Sequence, residues 1–162
     1  MGLRRAMLLL LMSALLHVVA ADAASTTQRI AVIVANDGSW QGIRGKLTVR
    51  QLARVYRRQY LLGRDGQRLH PVNLPPEHPL RIAVSRKLYG RDPVAMTRFW
   101  SEQYFNGISP PHVVDSQEAM LRFIANTPGA IGYIVECKVD KRVRVVLRLK
   151  LRVTGSADYC AE

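Results

Sequence analysis

The sequence predicts an α/β sandwich: a mostly parallel sheet of about five strands with four helices, layered αβα. Three observations lead there. Short apolar, β-branched runs such as Arg29 to Ala35 (RIAVIVA) and Ala130 to Val135 (AIGYIV) have the composition of strands buried on both faces. Between them lie segments with apolar residues at helical spacing, each opened by a helix-start signal. A stretch near the C-terminus, Arg142 to Val153, alternates cationic and aliphatic residues with a period of two, as in a strand with one buried face.

RIAVIVA runs into Asn36-Asp37-Gly38-Ser39, a polar turn, so it ends as a buried strand should. Thr48 stands three residues before Gln51, a capping-box spacing, and Val49, Leu52, Ala53, Tyr56 and Tyr60 recur at helical intervals, predicting a helix from Val49 to Tyr60. Its other face carries Arg50, Arg54, Arg57 and Arg58, a solvated face or one turned to an anionic partner. Gly63-Arg64-Asp65-Gly66 forms a turn, and Leu69 to Leu74 reads as a second strand interrupted by Pro71. Pro79 suits the first position of a helix that continues through Leu80, Ala83, Val84 and Leu88 and stops at Gly90.

Asp92-Pro93 is a further start signal, and the helix that follows aligns Met96, Phe99, Trp100 and Tyr104 on one stripe, for which core packing is the expectation and a ligand groove the alternative. After Pro110-Pro111, residues His112 to Val114 form a third short strand. Asp115 or Ser116 then caps a helix, with Glu118 completing a box with Asp115 and Met120, Phe123 and Ile124 facing inward. Thr127-Pro128-Gly129 ends it, and Gly132 within AIGYIV allows close approach of a neighbour.

At the N-terminus, Arg4 and Arg5 precede an uncharged apolar run from Ala6 to Ala21 and the small-residue stretch Ala21-Asp22-Ala23-Ala24. That order predicts a signal peptide over residues 1–23, with a single domain over 24–162 exported to the periplasm; the run is short of the roughly 20 residues a membrane span requires. The chain carries 24 Lys and Arg against 12 Asp and Glu, a net charge of +12, so its partners should be anions. In an exported protein these are phosphate-like solutes, the anionic envelope surface with peripheral membrane contact, or acidic proteins; no nucleic-acid motif is present. Cys137 and Cys160 are an even pair in an oxidising compartment, which favours a disulfide over two buried thiols.

Catalytic patterns are absent. His70, His78 and His112 lie beside prolines or strand ends without the i, i+4 spacing of a helical zinc site, the two cysteines are too far apart for a redox pair, and no Gly-x-Ser-x-Gly, Walker-type or Rossmann pattern occurs. The expectation is a protein without enzymatic activity, metal or cofactor. Binding needs less, because the backbone N–H groups at a helix start attract anions. Three turns offer such starts: Asn36 to Ser39, Asn73 to Leu80, and Asp115 to Gln117. The candidate ligand residues are Asn36, Ser39, Asn73, His78, Arg81 and Ser116, with Asn73, His78 and Arg81 the strongest polar cluster and Asp115 a source of repulsion at the third turn.

The order of motifs resembles short periplasmic proteins related to phosphate ABC-transporter substrate-binding proteins, of the type 2 periplasmic binding superfamily. The segments that carry the resemblance are LTVRQLARVYRRQ at 47–59, DGQRLHPVNLP at 65–75, HPLR at 78–81, FWSEQYFNGISPPHVVDSQEAMLRFIANTPGAIGYI at 99–134 and DKRVRVV at 140–146, with TPGAIGY at 127–133 the most specific. The resemblance implies a two-lobed α/β fold, here abbreviated, that binds a small solute, phosphate among the candidates, without catalysis, for an ABC permease or a membrane sensor. Full-length phosphate binders carry a Ser-Gly-Thr type loop where this chain has Pro75-Pro76-Glu77-His78-Pro79. The rival expectation is an adaptor that keeps the fold, has lost the ligand, and docks through the basic strand 142–152 and the Arg50, Arg54, Arg57, Arg58 face.

Overall fold

The computed structural model describes residues 25–38, 40, 47–59, 62–63, 66–155 and 159–160. The expected signal peptide and Ser39 lie outside these residues.

In chain order the elements are β1 (Ser25–Ala35), α1 (Val49–Tyr56), β2 (His70–Asn73), α2 (Pro79–Tyr89), a 3-10 turn (Val94–Met96), α3 (Thr97–Phe105), β3 (His112–Val113), α4 (Gln117–Asn126), β4 (Ala130–Val135), a 3-10 turn (Glu136–Lys138) and β5 (Val143–Thr154). The strands form one sheet in the order β3-β2-β4-β1-β5, and all of the described strands belong to it, so the two-lobed arrangement is not formed among the described residues. β2 pairs in parallel with both β3 and β4, whereas β1 runs antiparallel to β4 and β5; four strands therefore share one direction and β1 opposes them.

Helices cover both faces, which explains why β1 and β4 read as unbroken apolar runs. On one face, Gly132 brings β4 under α4: a Cβ there would lie 3.2 Å from Ile124 Cδ1 and would strike Met120. On the other, Tyr133 of β4 meets Tyr56 of α1, ring centres 6.1 Å apart. Ile30, Ile33, Leu52, Leu80, Met120, Ile124, Ile131 and Ile134 are at most 1% exposed, and they knit the layers together. Pro71 fits within β2 because His70 N–H donates to Gly129 O at 2.9 Å, which turns the next amide position toward β3, and β3 begins only opposite Val72.

Several local expectations are realised and several are corrected. Thr48 and Gln51 form the capping box, Thr48 Oγ1 accepting from Gln51 N at 3.2 Å and Gln51 Oε1 from Thr48 N at 2.9 Å. That helix stops at Tyr56, because Arg58 adopts the left-handed region at φ 60° and donates its Nη1 to Leu69 O. Pro79 opens α2 and Gly90 closes it at φ 69°. Asp92 is not a cap: its carboxylate pairs with Arg86, and Val94–Met96 begins without a side-chain cap. Nor does Glu118 close a box with Asp115. Ser116 is the cap, accepting from Ala119 N at 3.1 Å, while Glu118 takes a fork from Arg142 at 2.8 and 2.9 Å and a third bond from Arg122.

The aromatic stripe of α3 is not core. Met96, just before it, is buried, but α3 has no buried residue, and Tyr104 and Phe105 are 68% and 88% exposed. β5 keeps its alternation of exposed cations, yet its register on β1 slips between Val32 and Ile33, where Leu147 and Val145 are successive partners. Val146 is the extra residue of this bulge, so the aliphatic residues on its two sides serve opposite faces of the sheet.

Candidate functional site

The strands that share a direction end at one edge of the sheet, and the two helices that follow β2 and β3 begin there. At α2 the cap is His78, whose Nδ1 accepts from Leu80 N at 3.1 Å. The imidazole is therefore neutral at Nδ1, and burial holds its pKa below the ordinary value of 6.5, with Glu77 opposing that shift. At α4 the cap is Ser116, and Gln117 beside it is buried, its Oε1 accepting from Val135 N at 2.8 Å at the end of β4. Each helix start therefore satisfies a donor of its own through its cap.

His78 and Ser116 line one cavity of about 590 Å³, with Asp115, Glu118, Lys138 and Arg142 also in its wall. Cys137 and Cys160, joined by a disulfide with their Cα atoms 5.8 Å apart, fix Tyr159 at the rim, its ring centre 6.2 Å from that of His78. The wall is mixed in sign. Arg142 bridges Glu118 and Asp140, and with Arg122 it holds the Glu118 carboxyl down at about 2.

Beneath the start of α2 lies a second group of polar side chains. Asn73, Arg81 and Ser85 are 1%, 9% and 1% exposed. Arg81, Ser85 and Tyr89 follow one another at i, i+4 and i+8 and share a face of α2. Facing them are Tyr56 from α1 and Tyr133 from β4. The Tyr56 hydroxyl donates to Val72 O at 2.9 Å; that of Tyr133 donates to Asn73 Oδ1 at 3.3 Å and accepts from Leu74 N at 3.4 Å. Burial raises the pKa of all three tyrosines, Tyr133 to about 12, and the positive charge of Arg81 opposes the rise in each. Asn73 Nδ2, Arg81 Nε, Ser85 Oγ and Tyr89 OH are buried and have no hydrogen-bond partner among the described residues.

Of the predicted ligand residues, then, His78 and Ser116 share a cavity, and Asn73 and Arg81 lie in the buried cluster below it in the chain. Asn36 joins neither. Because β1 runs against its neighbours, Asn36 sits at the opposite edge of the sheet from Asn73, where its N–H and its Nδ2 both clamp the approach to β5, donating to Arg142 O and Lys141 O at 3.1 Å each. Arg81 is buried. Tyr56, Ser85, Tyr89 and Tyr133 are not among the expected ligand residues, although the four-residue spacing of Arg81, Ser85 and Tyr89 is visible in PLRIAVSRKLY. Among the described residues no three His, Cys, Asp or Glu side chains are placed to share a metal ion, and no helix is long and apolar enough to cross a membrane.

Comparison with solved structures shows an α/β fold shared with substrate-binding proteins at low sequence identity. The chain is similar to a candidate phosphate ABC-transporter substrate-binding protein with bound phosphate from Clostridium perfringens, at TM-score 0.58 and 14% identity over 86% of this chain and 61% of that one. It is likewise similar to a candidate phosphate-binding protein from Planctomyces limnophilus, at TM-score 0.53 and 9% identity over 80% of this chain and 53% of that one. The chain thus spans less than two thirds of the length of either neighbour. No family model and no curated protein matches it.

Proposed function

We propose that this chain is a non-catalytic solute-binding module of the periplasm that holds a small anion for transport or sensing. The observation that carries this function is the convergence of two helix starts, each following a strand of the parallel half of the sheet, on one cavity of about 590 Å³ lined by His78 and Ser116. In sheets of this kind ligands gather at the carboxyl ends of parallel strands. Two fold neighbours described as phosphate binders support the same class of ligand. The net charge of +12 raises the local concentration of any anion that approaches.

Isothermal titration of the purified domain with phosphate, sulfate, a neutral sugar and an amino acid tests the proposal. Saturable binding of an oxyanion is expected; a flat response to the whole panel removes the solute-binding function.

One observation favours the adaptor as a second function. β5 is an edge strand, and among the described residues its exposed Lys150 and Arg152 have no ion-pair partner, whereas Arg148 shares Glu136 with Arg29. Reversing Lys150 and Arg152 to Glu should then release the protein from anionic vesicles without altering its melting temperature. Undiminished binding to the vesicles counts against it.

A further inference from the structure

Among the described residues Arg81 is the one Lys or Arg that is buried. Arg81 is 9% exposed, makes no ion pair among the described residues, and leaves its buried Nε without an acceptor. An arginine cannot escape burial by giving up its proton, so a buried guanidinium is ordinarily matched by an acid. The groups around it are neutral. Tyr56 and Tyr133 use their hydroxyls on Val72 O and Asn73 Oδ1, while Asn73 Nδ2 and Ser85 Oγ remain unpartnered. What this group of side chains lacks is negative charge.

We propose that Arg81, with Asn73 Nδ2 and Ser85 Oγ beside it, is the charged seat of the ligand and takes a small inorganic oxyanion of the phosphate class, an inference that rests on the solute-binding function above. The planar fork of a guanidinium presents paired N–H groups that match two oxygens of one oxyanion. An amide N–H and a hydroxyl can serve the remaining oxygens. Asn73 at the end of β2 and Arg81 and Ser85 on α2 are all at most 9% exposed, so an anion held there would be a small one stripped of most of its water, which a lipid headgroup or an acidic peptide could not become. Tyr89, whose hydroxyl is also unpartnered, lies two turns further along the same face of α2.

Titration calorimetry with inorganic phosphate and with sulfate, run on wild type, Arg81→Met, Arg81→Lys and Asn73→Asp, tests this, with melting temperatures recorded in anion-free buffer. Losing a charge-assisted bond should weaken oxyanion binding roughly ten- to a hundredfold in Arg81→Met, with a smaller loss in Arg81→Lys, which keeps the charge and loses the fork. Without anion, Arg81→Met should melt no lower than wild type, since it removes an uncompensated buried charge. Asn73→Asp places a carboxylate where the anion belongs and should likewise bind at least tenfold more weakly, which keeps the test open if Arg81→Met does not fold. If wild type binds no oxyanion, the solute-binding function fails and this inference with it. Should wild type bind while Arg81→Met or Asn73→Asp binds equally well, the function stands and Arg81 is overturned as its seat. A lower melting temperature of Arg81→Met with unchanged affinity makes Arg81 a structural cation held among tyrosine rings, and equally overturns the proposal.

Discussion

Replacing Gly129 by Ala separates two costs that the structure places at a single residue. Gly129 has φ +78°, in the left-handed region, and a Cβ there would collide with the backbone carbonyl oxygen of Arg68 and come within 3.2 Å of Gln67 Cγ. The left-handed conformation alone costs an alanine about 1 kcal/mol. The collision adds about 2 kcal/mol, because its partner is backbone and cannot rotate aside. Neither strand can retreat without loss, since His70 N–H donates to Gly129 O at 2.9 Å and this bond sets the register of β2 on β4. The expected total is about 3 kcal/mol, a fall in melting temperature on the order of 10 °C for a domain of this size. Gly90 supplies the control: it closes α2 at φ +69°, with nothing within 4 Å of its would-be Cβ. Gly90→Ala should therefore cost only the conformational part, about 1 kcal/mol. Chemical denaturation of both variants measures the difference. If Gly129→Ala costs no more than Gly90→Ala, the close approach of Arg68 to the start of β4 is wrong.

Reduction of the Cys137–Cys160 disulfide, which spans 23 residues, should lower stability by about 3 kcal/mol, read as a shift of the urea midpoint with and without reductant. Glu118 is held at about 2 against an ordinary 4.5, chiefly by the Arg142 fork and next by Arg122, so what it contributes to stability is present above pH 4.5 and disappears as the pH falls toward 2. Carboxyl titration by NMR should show its pKa rising toward 4.5 in Arg142→Ala. Phe105→Ser should change stability by less than about 0.5 kcal/mol, because the ring is 88% exposed; a large loss would mean that Phe105 packs against another element.

What sequence made legible follows from what local chemistry encodes. The Thr48 box, Pro79 and Gly90 mark helix ends through atoms within a few residues of one another, and the structure keeps all three. Asp92 carries the same kind of signal, but its carboxylate is claimed by Arg86, and nothing in the chain around Asp92 announces a partner six residues back. The stripe Met96, Phe99, Trp100 and Tyr104 has the spacing of a core helix; whether another element covers it is a tertiary fact, and here none buries α3. Strand direction is equally invisible to composition. RIAVIVA reads the same in either sense, yet its antiparallel course removes Asn36 from the edge where α2 and α4 begin. Arg81 illustrates the converse. A charge on a helix ordinarily marks its solvent face, and only the packing of α1, α2 and β4 shows this one turned inward among Tyr56, Tyr89 and Tyr133.

Diffraction from crystals of the domain grown with arsenate, a phosphate-like oxyanion whose arsenic scatters anomalously, tests most directly where the protein holds its anion. An arsenic peak within hydrogen-bonding distance of the Arg81 guanidinium is the predicted result. A peak only in the cavity lined by His78 and Ser116 would uphold anion binding and overturn Arg81 as its seat, and a peak only along the cationic edge of β5 would contradict both.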